Sequence, residues 1–358
     1  MILPTAYKSI TTDLCDYKVN GFERIYTLDN YHKLLKSLHS EETLFICSMG
    51  YKWEYRKVFQ ALKKEKFHFC YFMQELSPAD MAYTCRNLKE KLNIENVRKA
   101  VTRRIPKSLH GVKNCDFILG CGSDDEAIAY YKAARLCDAN CPIYYFHSSN
   151  YEECLMSVNK PRLIKEKYCV FIDQFLPYHP DSIEAGVHFN AEDYFNNMNL
   201  LFDFIEKQYD IEVIIAAHPR SNYDLYPDVF EKRTIIKNDT CNLVKDSEFV
   251  IYHFSDSLAY VTAFKKPVIV ITTNDINRVM HDSIMRICSL LGTTEVNLDE
   301  FKHDDNKKEI INSRLSINEE IYEEYIKKYM KKDYAGIIEG DALWVQIGKF
   351  LAKIGSKA

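Results

Sequence analysis

The sequence lacks any apolar run long enough to cross a bilayer as a helix, which takes about 20 residues. Its first residues, Met1-Ile2-Leu3-Pro4, carry neither the charged segment nor the apolar core of a secretory leader. It also lacks an excess of charge: 47 basic and 51 acidic residues leave a net charge of −4. No global field draws such a chain to nucleic acid, and no nucleic-acid partner is expected. The basic pairs Lys63-Lys64, Arg103-Arg104, Lys327-Lys328 and Lys331-Lys332 read as solvated helix faces or ends, with weak peripheral docking on a membrane as the alternative. Among twelve cysteines there is no Cys-x-x-Cys, and Cys47, Cys70 and Cys169 sit in strand-like apolar runs, as buried thiols of a reduced compartment do. Cys137 and Cys141 bracket three residues but have no His or Cys pair at zinc spacing, so no metal site is expected. These absences point to a cytoplasmic protein, at most resting on the inner face of a membrane. Nothing in the sequence sets an oligomeric state.

What is present is an alternation of short apolar runs with helical patterns. Apolar residues make up 47% of the 358 and charged residues 27%, the balance of a globular protein. The length exceeds what one core organises, so two domains are expected. In the first half, Thr43 to Met49 and Phe67 to Phe72 read as strands around a helix over Tyr55 to Lys64; Asp116 to Leu119 and Pro142 to Phe146 read as strands around a helix over Asp124 to Arg135. Asn150 to Lys167 is polar, contains Pro161 and has no clear period, so the inter-domain linker is placed there. The alternation restarts with strands at Tyr168 to Ile172, Glu212 to Ala217, Phe249 to His253 and Pro267 to Ile271, a helix over Asp193 to Gln208 and another ending at Phe264. Strands interleaved with helices predict parallel sheets covered on both faces. Charged and apolar-faced helices are expected over Asn318 to Lys331 and Ala342 to Lys353, the latter carrying Trp344, Val345, Ile347 and Leu351.

In open parallel sheets ligands bind beyond the carboxyl ends of the strands. Three loops of the second half leave there. His218-Pro219-Arg220 follows Ala217: a histidine held by proline is aimed at a cleft, where it can donate to a leaving phosphate oxygen and Arg220 can pair with it. The plainer alternative is a histidine satisfied locally and a solvated arginine. Ser255-Asp256-Ser257 follows His253 and opens a helix, so its hydroxyls and amides suit an anion, an N-cap, or both. Thr240 starts a third, short helix. The loop Asp173 to Asp181 holds Asp173, His179 and Asp181, materials for deprotonating an acceptor hydroxyl; a loop-capping Asp173 with surface His179 and Asp181 is an equal alternative. In the first half Gly120-Cys121-Gly122-Ser123-Asp124 lacks the third glycine of a dinucleotide fingerprint. Gly122, Ser123 and Asp124 are read as an acceptor wall, with Asp124 or Asp125 a reserve base. Trp53 in Gly50 to Tyr55 is read as core packing, with stacking on a sugar ring as the alternative.

The succession strand-His218-Pro219, Thr240 with a short helix, then Ser255-Asp256-Ser257 followed by Lys266-Pro267-Val268-Ile269 resembles the donor half of bacterial GT-B glycosyltransferases that build surface polysaccharides. It is similar to sialyltransferases and Kdo transferases that use CMP-activated sugars, and to CDP-glycerol polymerases of teichoic acid synthesis. The resemblance covers Tyr168 to Thr273; the first half matches in architecture alone. It implies an α/β, GT-B-like fold: a Rossmann-like acceptor-side domain over 1–160, a Rossmann-like nucleotide-sugar domain over 161–335 facing it across a cleft, and a C-terminal helix over 336–358 crossing back to the first domain. It further implies that His218 assists the leaving phosphate, Pro219 fixes the loop, Ser255 and Ser257 hold the CMP phosphate, and an upstream aspartate, Asp173 or Asp181, is the base. The Asp-Asp-Gly signature of several sialyltransferases and the Gln-to-Asp spacing of Kdo transferases are both missing after Gln174. The absence of Asp-x-Asp agrees with a metal-independent transferase without cofactor. The partners so implied are a nucleotide-sugar donor, CMP-linked by preference, and a glycan acceptor. A UDP-N-acetylhexosamine 2-epimerase and a non-catalytic nucleotide-sugar or glycan binder are the alternatives.

Overall fold

A computed structural model describes residues 25, 27–48, 50–51, 53–73, 101, 105, 107–123, 137–138, 140–184, 186–336 and 340–355. These fall into two compact units. Residues 25–73, 101–120 and 137–144 form one; 121–123 and 145–355 form the other.

The first unit carries β1 (Leu44–Cys47), β2 (His68–Phe72), β3 (Ile118–Cys121) and the start of β4 (Ile143–Phe146), adjacent in that order in one sheet. β1, β2 and β3 pair in parallel. Helices α1 (Leu28–Ser37) and α2 (Arg56–Lys64) accompany them. α2 buries Phe59, Ala61 and Leu62, the helical spacing already visible in the sequence. Trp53 lies in a 3-10 turn ahead of it, edge-on to His110 with ring centroids 4.8 Å apart, and under the Arg56 guanidinium. Arg56 covers one face of the ring, and the residue is half-buried.

The second unit begins with α3 (Ser149–Ser157), inside the stretch expected to be linker. Ser148 caps it by accepting the Tyr151 amide, and Tyr151, Cys154 and Ser157 face inward at a spacing of three. Only one of those three is plainly apolar, which is why the period is faint. A six-stranded sheet follows, made of β5 (Tyr168–Ile172), β6 (Glu212–Ala217), β7 (Ile235–Lys237), β8 (Val250–Tyr252), β9 (Val268–Thr272) and β10 (Val296–Asn297). Its order is β10-β9-β8-β5-β6-β7, and every adjacent pair is parallel. The chain thus runs outward from β5 through β6 and β7, returns to β8 on the other side, and runs outward again. That is the doubly wound order, with its reversal between β5 and β8.

Burial explains the centre of this sheet. β5, β8 and β9 are buried at every residue and β6 at all but Glu212, as strands covered on both faces must be. After α4 (Pro180–Glu184), helix α5 (Ala191–Tyr209) joins β5 to β6 and buries Tyr194, Phe195, Met198, Leu201, Phe202 and Ile205. Phe171, Phe202 and Phe230 meet there in tilted and edge-on contacts of 5.3–6.3 Å. α6 (Thr240–Asp246), α7 (Leu258–Ala263) and α8 (Asn274–Leu291) follow β7, β8 and β9; α8 is capped by Thr273 and closed by Gly292 in the left-handed region. The chain then forms α9 (Leu298–Phe301), α10 (Lys307–Asn312), α11 (Glu319–Tyr329) and α12 (Leu343–Gly355). In α12 Leu343 and Ile347 face inward, whereas Trp344 and Val345 are exposed, so its buried stripe is narrower than the sequence pattern. No helix among the described residues is long and apolar enough to span a membrane.

Arg233 pins α5 to the β6–β7 connection. Its guanidinium meets Glu206 through two bonds of 3.0 and 2.8 Å, also reaches Asp203, Glu231 and Asn199, and lies over the Phe202 ring. Arg233→Ala removes both the ion network and the packed stem, and is expected to lower unfolding free energy by about 2–3 kcal/mol in urea titration. A loss within experimental error would show that the network is only decorative.

Candidate functional site

The loops after β5, β6 and β8 leave neighbouring strands on the carboxyl edge, at the reversal of strand order. One carboxylate organises two of them. Asp173, directly after β5, is buried and accepts three hydrogen bonds: from the Phe175 amide at 2.8 Å, from the Tyr223 hydroxyl at 2.7 Å and from the His218 amide at 3.3 Å. Its own amide donates to Ala216 O at 3.0 Å. Burial pushes its carboxyl above the ordinary range, opposed by these donors. The bond to Phe175 also supports a left-handed residue, φ 52°, a conformation that a side chain of this size disfavours.

On this base the chain builds two similar turns, His179-Pro180-Asp181 and His218-Pro219-Arg220. In each, the histidine Nδ1 accepts the backbone amide two residues on, from Asp181 at 3.2 Å and from Arg220 at 3.1 Å. With Nδ1 occupied as an acceptor, each neutral ring carries its proton on Nε2. The two imidazoles stand edge to face with centroids 4.8 Å apart, and the turns are joined by Arg220 Nη1 to Asp181 Oδ1 at 3.1 Å. Burial, then the neighbouring His179 and Arg220, push His218 down to about 4. Burial lowers His179 also. Near neutral pH the pair therefore offers uncharged N–H donors beside one guanidinium. Lys237, at the end of β7, steadies the second turn by donating to Ser221 O at 2.6 Å.

Beyond β8, His253 is buried and spent inside the protein. Its Nδ1 donates to Ile271 O at 2.9 Å and its Nε2 accepts from the Tyr194 hydroxyl at 3.1 Å; burial lowers it to about 4. The following turn is held by Tyr252, whose hydroxyl accepts the Ser255 amide and donates to Ser255 O, both at 2.6 Å. Ser255 Oγ accepts the Ser257 amide at 3.1 Å. That amide is used within the turn, while the Ser255 hydroxyl keeps its proton to donate. Asp256 is exposed, and its carbonyl accepts from Asn150 at 3.4 Å. Thr240 opens α6 beyond β7, with no side-chain cap from Asp239.

The structure thus gathers Asp173, His179, Asp181, His218, Pro219 and Arg220 into one cluster, and sets Ser255, Asp256 and Ser257 at the end of β8, one strand away from β5. Thr240 is two strands from β5 on the opposite side. Gly122 and Ser123 lie elsewhere. Ser123 donates its amide to Lys328 O at 2.9 Å and its hydroxyl to Lys327 O at 3.0 Å, closing the end of α11. Gly122 has φ +65°, and a Cβ there would stand 1.9 Å from Lys328 O, so glycine is required for that close approach. Asp124 and Asp125 lie outside the described residues. The sequence reading missed Tyr223 and Tyr194; a tyrosine gives no local sign that it will hydrogen-bond a buried carboxylate or histidine. Lys237 was equally silent. The similarity of His179-Pro180 to His218-Pro219 emerges only in the structure, because His179 lies seven residues beyond β5, after a 3-10 turn over Leu176–Tyr178.

No family model matches the chain, and no curated protein matches it. Among solved structures it is similar to the UDP-GlcNAc 2-epimerase from Methanocaldococcus jannaschii, with 11% identity, a TM-score of 0.48, and coverage of 91% of this chain and 80% of that one. It is similar to UGT89C1 of Arabidopsis thaliana complexed with UDP, with 11% identity, a TM-score of 0.48 and coverage of 91% and 76%. A third likeness is to the glycosyltransferase SnogD from Streptomyces nogalater, with 11% identity, a TM-score of 0.43 and coverage of 91% and 77%.

His253 makes the folded state sensitive to acid. Its folded value of about 4 lies below the ordinary 6.5, so between those values the unfolded chain takes up a proton that the folded chain refuses. Stability is then lost as pH falls from 6.5 towards 4, by up to about 3 kcal/mol from this group. His253→Gln, which keeps a donor and an acceptor but cannot titrate, should reduce the dependence of unfolding free energy on pH across that window, leaving the share that His218, also lowered to about 4, contributes. An acid slope equal to wild type would contradict this role.

Proposed function

We propose that this protein is a nucleotide-sugar-dependent glycosyltransferase of GT-B type that holds the donor phosphate at the reversal point of its second sheet. The observation that carries the reading is the facing pair of His-Pro turns. Two Nε2–H donors and the Arg220 guanidinium sit where doubly wound sheets place ligands, and neutral imidazoles accept an anion without first taking up a proton. The Ser255-Asp256-Ser257 turn, one strand away, adds hydroxyl donors.

The chemistry follows from these positions. As the bond between the sugar's anomeric carbon and the phosphate oxygen breaks, its electron pair stays on that oxygen, and His218 Nε2–H stabilises the developing charge by hydrogen bonding. The acceptor hydroxyl forms the new bond to the anomeric carbon and gives up its proton to a carboxylate. Asp181, more than half exposed beside the histidines, is the carboxylate open to an acceptor. Asp173, buried with three donors, positions the loops instead. His179 orients His218 and shares the phosphate; Pro219 fixes the turn. The sequence resemblance makes the donor a CMP-linked ulosonic acid of sialic acid or Kdo type and the acceptor a bacterial surface glycan.

Replacing His218 by Ala should leave thermal unfolding close to wild type and lower transfer from the CMP-sugar by about 10²–10³-fold. Undiminished transfer would remove His218 from the reaction. Interconversion of UDP-N-acetylglucosamine without any acceptor would replace the transferase reading with that of an epimerase.

A further inference from the structure

The edge of the second sheet opposite the candidate site carries a surface that phosphate chemistry does not use. The last residues of α3 and its connection into β5, residues 156–167, have the sequence Met-Ser-Val-Asn-Lys-Pro-Arg-Leu-Ile-Lys-Glu-Lys. Met156 is 60% exposed, Val158 42% and Leu163 43%. Lys160, Arg162, Lys165 and Lys167 are exposed around them, against the single acid Glu166. In a chain of net charge −4 this is a local reversal of sign, combined with apolar side chains that water disfavours.

These side chains point outward because the backbone is fastened inward. Lys245 Nζ donates to Lys160 O at 2.9 Å and Asn242 Nδ2 to Pro161 O at 3.4 Å. Arg162 reaches Asp246 O at 3.4 Å and Glu166 O at 3.1 Å and lies over the Tyr168 ring. With the carbonyls tied to α6, Val158 and Leu163 cannot fold into the core without breaking those bonds. Arg162 is engaged, so Lys160 and Lys165 supply most of the outward charge. Glu212 and Glu248, which start and precede β6 and β8, bound the cationic area beside Lys167.

We propose that residues 156–167 dock the protein on an anionic phospholipid surface, with Met156, Val158 and Leu163 entering the headgroup layer and the lysines pairing with lipid phosphates. Small apolar anchors interspersed with lysine suit a fluid anionic surface, where each cation finds a phosphate without fixed geometry. A folded partner would call for a larger continuous apolar centre. The strands run parallel from this edge to the other, so docking here leaves the His179 and His218 turns facing away from the bilayer. The contact fixes location and is independent of nucleotide binding.

Vesicle co-sedimentation tests this with the full chain. Binding is expected to phosphatidylcholine vesicles containing phosphatidylglycerol and not to phosphatidylcholine alone, and to weaken as salt rises. The double variants Lys160→Glu/Lys165→Glu and Met156→Ser/Leu163→Ser should each bind at least about tenfold more weakly, with unchanged thermal unfolding and an unchanged thermal shift with CMP. Equal binding to neutral vesicles, or full binding by both variants, would overturn the proposal. Self-association of the wild type that both variants abolish, without vesicle binding, would make the surface an interface between copies instead.

Discussion

The buried carboxylate of Asp173 is the constraint on which the rest of the site depends. A carboxylate inside a protein is tolerated when its oxygens are met by donors, and here those donors come from three places: the next turn, the start of the β6 loop and the Tyr223 hydroxyl. Satisfying one charge therefore fixes the exit of β5, the exit of β6 and the return towards β7 in one arrangement. The two His-Pro turns are held at an inter-ring distance of 4.8 Å as a consequence, and Phe175 keeps its left-handed backbone.

The same region shows how burial changes the role of a residue type. His218 and His253 are both lowered to about 4 by burial, yet they do different things. His253 has a protein partner on each nitrogen and cements β8 to β9 and α5. His218 spends Nδ1 on the Arg220 amide and is half-buried on the carboxyl edge, so its Nε2–H is the donor that the turn itself does not use. The two ends of the sheet also differ: the His179 and His218 turns with Arg220 lie at the carboxyl edge, exposed lysines and apolar side chains at the amino edge.

Much of the second sheet was legible in the sequence because its central strands are apolar without interruption. The runs at Tyr168–Ile172 and Glu212–Ala217 appear in the structure with the same limits. α8 carries standard helix signals in its sequence, with Thr273 as cap and Gly292 as stop. α3 shows no helical period in the sequence because its inward face mixes Tyr151, Cys154 and Ser157. The candidate loops were legible from their positions at strand ends, but roles were not. An aspartate after a strand reads alike as a base or as a tether; the three donors that hold Asp173 come from its own turn, the exit of β6 and Tyr223, and none of them is marked in the local sequence. The contact of Ser123 with the end of α11, 204 residues onward, cannot be seen in local sequence.

The central claim is that the facing His-Pro turns form an anion site that holds a nucleotide by its phosphate. Calorimetric titration with CMP and with cytidine, on the wild type and on His218→Ala, tests it most directly. CMP should bind the wild type and bind the variant about tenfold or more weakly, a loss of about 1.4 kcal/mol or more, while cytidine binds both weakly and alike. Equal affinity for CMP and cytidine in the wild type, or CMP binding unaffected in the variant, would contradict the account.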